Sequence, residues 1–298
     1  MLTGIKAWLL GRSAQGMREA SVRCANPQGL HRMRYTEWGD RHNPKVLVCV
    51  HGLTRNGRDF DDLAQALAPH YRVLCPDVAG RGRSDWLPDK SGYGLPQYVS
   101  DMMVLLARSG AESVHWLGTS MGGLIGMLIA AQRDSPITRL VLNDVGPVIT
   151  AASLRRIGEY VGRAPAFPDR ARAEAYIRAV SAPFGPLTDA QWRHLTDTSL
   201  RPLPGGGFEV NYDPGIGDVF RATPVLADLE LWPIYDAIRC PTLALRGETS
   251  DLLTPEVHRE MGRRGPMARL EQVPGVGHAP MLMDAAQIAL VKDYLLGD

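Results

Sequence analysis

Ser113-Val114-His115-Trp116-Leu117-Gly118-Thr119-Ser120-Met121-Gly122-Gly123-Leu124-Ile125-Gly126-Met127 carries a β-rich run into a small-residue helical run. The joint, Gly118-Thr119-Ser120-Met121-Gly122, has the form G-x-S-x-G. A serine on so sharp a strand-to-helix turn must take a strained backbone, and the flanking glycines let neighbouring chain approach without Cβ clashes. Such a turn lifts the hydroxyl above the sheet edge and sets it at a helix N-terminus. Free amides and the helix dipole there favour developing negative charge. Ser120 is therefore the candidate nucleophile.

Working outward, the flanking chain alternates strand-like and helix-like runs, the pattern of a mostly parallel sheet covered by helices. Residues 45–50 are nearly continuous in apolar side chains, as a strand buried on both faces should be. Further strands are expected at 71–75, 113–117, 138–142, 241–245 and 268–273, and helices at 59–67, 97–108, from 121 to about 132, from about 255, and at 284–296. From about 147 to 233 the alternation gives way to Arg-, Ala- and Pro-rich helical stretches, with a turn at Pro204-Gly205-Gly206-Gly207. This segment reads as an inserted helical cap over 148–232, the core being 1–147 and 233–298.

A serine hydroxyl is a poor nucleophile at neutral pH and needs an adjacent base. His278, in Val276-Gly277-His278-Ala279-Pro280 between the last strand and the last helix, is the candidate. The base needs a carboxylate to hold its tautomer. Asp251, in the loop after residues 241–245, is the expected partner, with Glu248 in the same loop and Asp144 after residues 138–142 as rivals. An oxyanion would be held by the amides of Met121, the residue after the nucleophile, and of Leu53 in His51-Gly52-Leu53-Thr54. His51 reads as a brace for that loop. Arg55, Asn56 and the cap residue Trp192 are candidate substrate contacts. Other cap aromatics (Tyr160, Phe167, Phe184, Phe208, Phe220) line an apolar pocket or pack the cap on the body.

Bulk composition narrows the partners. The 298 residues hold 33 basic and 32 acidic side chains, a net charge of +1, so no overall field attracts nucleic acid or an anionic membrane. The pairs Arg155–Arg156 and Arg263–Arg264 read as solvated helix faces. Cys24, Cys49, Cys75 and Cys240 are widely spaced, with neither a disulfide framework nor zinc-ligand spacing. The apolar stretch Ala7-Trp8-Leu9-Leu10 is too short for a signal or a membrane span. A cytoplasmic protein with a small-molecule substrate is expected, and self-association is left open.

The chain resembles the α/β-hydrolase superfamily, in particular its cap-bearing esterase, lactonase and C–C hydrolase members. The resemblance rests on His51-Gly52-Leu53-Thr54, Asp77 with Gly80-x-Gly82-x-Ser84, Gly118-x-Ser120-x-Gly122-Gly123, Gly247 with Asp251, and Gly277-His278. It implies an eight-stranded, mostly parallel sheet whose first two strands come from about 18–38, and no metal or organic cofactor. Members that displace halide or open epoxides carry aspartate at the elbow, so Ser120 points to acyl chemistry. Ester or lactone hydrolysis through an acyl-enzyme is the first expectation. The alternatives are C–C hydrolysis of a diketone, perhydrolysis, and a non-enzymatic ligand-binding relative.

Overall fold

The computed structural model describes residues 16–222 and 226–297. The stretch Ala7-Trp8-Leu9-Leu10 lies outside them. The main sheet is built from β1 (Arg18–Asn26), β2 (Gly29–Trp38), β3 (Val46–Val50), β4 (Arg72–Pro76), β5 (Val114–Thr119), β6 (Ile137–Asn143), β7 (Thr242–Gly247) and β8 (Arg269–Val273). Their spatial order is β1-β2-β4-β3-β5-β6-β7-β8. β1 and β2 form an antiparallel hairpin, β2 meets β4 antiparallel, and every later pairing is parallel. The fold is that of an α/β hydrolase, and the two strands expected from about 18–38 are β1 and β2.

The central strands are apolar because they are covered on both faces. All five side chains of β3 are buried, with Val48, Val50 and Leu74 in one cluster and Leu47, Cys49 and Val73 in another on the opposite face. Helices α1 (Asp61–Leu67), α2 (Leu95–Ser109) and α3 (Met121–Ala130) follow β3, β4 and β5. Nine of the ten residues of α3 are buried, which its almost wholly apolar sequence requires. Gly126 lets α3 press on β5, because a Cβ there would stand 2.4 Å from the Trp116 indole nitrogen.

Between β6 and β7 run α4 (Ala151–Tyr160), α5 (Arg170–Val180), α6 (Asp189–Ser199), α7 (Ile216–Ala222) and the short α8 (Trp232–Asp236). The segment is not purely helical. Short strands Ala166–Phe167, Leu200–Pro202 and Phe208–Val210 form a three-stranded sheet, and Val148–Ile149 pairs with Leu229–Glu230. Two- and three-residue strands are too short to show a period-two pattern, which hides them in the sequence. The turn at Pro204–Gly207 links two of them. α9 (Pro255–Met261) and α10 (Ala285–Leu296) complete the chain. Among the described residues no helix is long and apolar enough to cross a membrane.

Candidate active site

Ser120 stands between β5 and α3 with φ 52° and ψ −116°, a left-handed conformation that costs a side-chain-bearing residue energy. Hydrogen bonds hold it there. Its amide donates to the Asn143 carbonyl at 3.0 Å, and its carbonyl accepts from Gly123 at 2.8 Å and Leu124 at 3.1 Å. The Trp116 indole ties the next turn by donating to the Gly122 carbonyl at 3.1 Å. The glycines are steric necessities. A Cβ on Gly118 would lie 2.2 Å from the Gly122 carbonyl, and one on Gly122 would lie 2.0 Å from the Val50 carbonyl oxygen.

His278 Nε2 is 2.9 Å from Ser120 Oγ, and His278 Nδ1 is 2.7 Å from Asp144 Oδ2. The carboxylate facing the imidazole is therefore that of Asp144, directly after β6, and not that of Asp251. Asp144 is fully buried. Its Oδ1 accepts the Gly247 amide at 2.8 Å, and its Oδ2 also accepts the Ser250 hydroxyl at 2.6 Å. The loop after β7 thus supplies donors to the acid, while its own Asp251 side chain, 54% exposed, pairs with Arg156 of α4. Glu248 turns away to accept the Gly275 amide at 2.8 Å. The expectation for Asp251 fails because that carboxylate points to solvent and Arg156, whereas Asp144 is desolvated, hydrogen-bonded and aimed at His278.

The loop after β3 comes up against Ser120, and a Cβ built on Gly52 would sit 3.7 Å from the Ser120 Cβ. The Gly52 carbonyl accepts two bonds, from His51 Nδ1 at 2.7 Å and from the Arg55 amide at 3.1 Å. A planar trans peptide then directs the Leu53 N–H the opposite way. His51 is fully buried, and its Nε2 accepts the Val78 amide at 2.9 Å. With Nδ1 donating and Nε2 accepting the imidazole is neutral, and burial lowers its pKa to about 3. His51 braces the loop. Asp77 braces the next one: it accepts from Gly57 at 2.8 Å and Arg83 at 2.9 Å, and burial raises its pKa. Gly82 is required there because a Cβ would meet the Asp77 carboxylate at 2.4 Å.

A cavity of about 450 Å³ opens over Ser120 and His278. Its floor is Gly52, Leu53, Thr54 and Thr119. Its roof comes from Ile157, Tyr160, Tyr176, Ile177, Phe184, Val210 and Tyr212. Arg55 lines it too, but its guanidinium is committed to Asp59 at 2.8 and 2.5 Å and to Ser199 Oγ at 2.7 Å. Asn56 and Trp192 do not line the cavity. Asn56 is buried, accepts the Arg58 amide and donates to the Thr198 carbonyl at 2.9 Å, fastening the loop to the end of α6. Trp192 is buried in α6 with the Arg178 guanidinium 5.5 Å from its ring. Of the expected aromatics, Tyr160 and Phe184 reach the cavity. Phe167 instead packs behind Tyr176, ring centroids 5.1 Å apart. Tyr176 and Tyr212 line the cavity as well, and nothing in their local sequence separates a cavity wall from ordinary packing.

A family model for the alpha/beta hydrolase fold matches residues 45–285. The chain belongs to the α/β-hydrolase family. Among α/β hydrolases and their relatives, it is 50% identical to a 3-hydroxybutyrate-oligomer hydrolase of Cupriavidus necator, over 93% of this chain and 97% of that one. It is 31% identical to Lipase LipV of Mycobacterium tuberculosis, over 60% of this chain and 65% of that one. An α/β hydrolase from Novosphingobium aromaticivorans superposes with a TM-score of 0.83 at 38% identity, covering 94% and 98% of the two chains. A hydrolase structure from Rickettsia typhi gives 0.87 at 30% identity, covering 95% and 99%.

Proposed function

We propose that this α/β hydrolase is an enzyme that cleaves short 3-hydroxyalkanoate esters through an acyl-enzyme on Ser120, with His278 as base and Asp144 as its carboxylate partner. The observation that carries this reading is the continuous relay of 2.9 Å from Ser120 Oγ to His278 Nε2 and 2.7 Å from Nδ1 to Asp144 Oδ2. The substrate class is drawn from the 50% identical oligomer hydrolase and suits a cavity walled mostly by apolar and hydroxyl-bearing side chains.

The reaction follows from the geometry. Ser120 Oγ attacks the ester carbonyl carbon while its proton passes to His278 Nε2. Asp144 keeps Nδ1 protonated and stabilises the resulting imidazolium. The carbonyl oxygen becomes an oxyanion facing the amides of Met121, at the N-terminus of α3, and Leu53. Collapse breaks the C–O bond, and His278 protonates the departing alcohol. Water, deprotonated by His278, attacks the acyl-serine and releases a 3-hydroxy acid. The elements between β6 and β7 act as a cap that roofs the cavity and limits its length.

Carboxylic esters are the substrate class, and the ligand-binding alternative has no support from relatives that are named hydrolases and lipases. Incubating the protein with 3-hydroxybutyrate dimer, trimer, p-nitrophenyl butyrate and a vinylogous 1,5-diketone, with products resolved by chromatography, tests the reading. Release of 3-hydroxybutyrate from dimer and trimer, with the diketone untouched, is expected. Cleavage of the diketone alone would overturn it in favour of C–C hydrolysis.

A further inference from the structure

Arg81 is among the largest side chains in the protein with essentially no exposure. Its hydrogen-bond partners among the described residues are all neutral. Nε donates to the Leu53 carbonyl at 2.8 Å. Nη1 donates to the Ala79 carbonyl at 2.7 Å and the Tyr98 hydroxyl at 2.8 Å, and Nη2 reaches the Met121 sulfur at 3.6 Å. The guanidinium lies over the Tyr98 ring at 4.8 Å and the Tyr93 ring at 5.7 Å. Asp213, beyond Tyr93, is bound by the Tyr93 hydroxyl at 2.6 Å and by Lys90. A guanidinium does not give up its proton in a protein, so a full positive charge is held here without a carboxylate of its own. Burying an uncompensated charge is costly.

Beyond its own loop this side chain touches Tyr98 of α2 and two residues beside the nucleophile, Leu53 of the loop after β3 and Met121 next to Ser120. The two residues read as oxyanion donors are therefore both held by one buried cation, Leu53 through its carbonyl and Met121 through its sulfur. We propose that Arg81 is a positioning residue for the oxyanion hole, fixing Leu53 against Met121 and placing a positive charge within reach of the anion that forms there. The proposal rests on the reading of Ser120 as nucleophile. A neutral ester carbonyl gains little from that charge and the tetrahedral oxyanion gains much, so the effect falls on the transition state. The backbone of Arg81 also bridges to Tyr212 in the cap segment. Side-chain variants leave that bridge in place.

The test uses Arg81→Gln and Arg81→Lys beside the wild type, with two inhibitors of matched shape. A trifluoromethyl ketone adds Ser120 Oγ to its carbonyl, passes the serine proton to His278 and leaves an oxyanion in the hole. The corresponding alcohol binds without forming one. Relative to wild type, Arg81→Gln should lower kcat ~10–100-fold, on the scale of losing part of one oxyanion donor. KM and alcohol binding should stay within about threefold, and the ratio of ketone to alcohol affinity should fall as kcat does. Arg81→Lys, which keeps a cation but not the forked contacts, should recover part of the loss. If Arg81→Gln does not fold, Arg81→Lys decides alone, with a ratio between about threefold and tenfold below wild type. An unchanged ratio in either folded variant, or a kcat loss matched by equal loss of alcohol binding, overturns the proposal. Failure of the ketone to bind the wild type would instead remove the reading of Ser120.

Discussion

Asp144 and Asp251 both sit in loops at the C-terminal edge of the sheet, and burial separates them. One has no exposed surface and accepts from Gly247, Ser250 and His278, and the other is half exposed and pairs with Arg156. A surface ion pair of the second kind contributes about 0–1 kcal/mol. Replacing the first carboxylate by an amide leaves the imidazole in the wrong tautomer. Asp144→Asn should lower kcat for p-nitrophenyl butyrate by ~10⁴, while Asp251→Asn stays within about threefold of wild type. Steady-state kinetics on the two purified variants checks both numbers, and the reverse ranking would restore Asp251 as the acid. Ser120 and His278, which lie 2.9 Å apart, are legible in the sequence as candidates because their local strings state their surroundings. The sequence did not show Asp144 over Asp251, since both follow strands and keep the chain order Ser, Asp, His. What decides between them is which loop folds inward, a tertiary property set by Ser250 and Gly247 turning toward β6.

At the scale of elements, the elbow depends on β3, β5 and α3 approaching closely enough to exclude a methyl group. Gly122→Ala puts a Cβ 2.0 Å from the Val50 carbonyl, which β3 cannot yield without losing its pairing. A loss of at least about 3 kcal/mol is expected, as overpacking against rigid backbone costs, together with most of the activity. Gly205→Ala, in the turn between the short strands Leu200–Pro202 and Phe208–Val210 where a Cβ meets nothing within 4 Å, should leave stability within about 0.5 kcal/mol. Urea melts of both variants test the contrast, and equal midpoints would contradict it. The long elements were legible from the sequence to within a few residues, because buried runs such as Val46–Val50 and the helical stripe of α2 carry strong patterns. The strands of two or three residues between β6 and β7 were not, since pairing rather than pattern creates them.

Across the whole molecule, the segment between β6 and β7 is held to the body from several sides. Asn56 and His194 bridge α6 to the loop after β3, the Gly82 and Asp213 amides pair with Asn211 and Gly80, and Gly277 donates to Pro183 beside His278. The body beneath it buries His51 and His258 and half-buries His115. Burial lowers the pKa of His51 to about 3, of His115 to about 4, and that of His258 below the usual value. In each case the folded pKa lies below the unfolded 6.5, so below that pH the unfolded chain binds protons that the folded one refuses. Stability present above pH 6.5 is lost on acidification, by about 1 kcal/mol per pH unit for the fully buried His51. The urea midpoint should fall between pH 7.5 and 5.5, and a flat or rising profile would contradict the burial of these rings.

The most direct test of the catalytic reading is turnover of the 3-hydroxybutyrate trimer by the wild type and by Ser120→Ala at matched folding. Release of 3-hydroxybutyrate by the wild type, with a drop of ~10⁴ or more in the variant, is predicted from the role of the nucleophile in such a triad. Equal turnover by the two proteins would contradict it, because the bond would then be broken without the hydroxyl that β5, α3 and His278 hold in place.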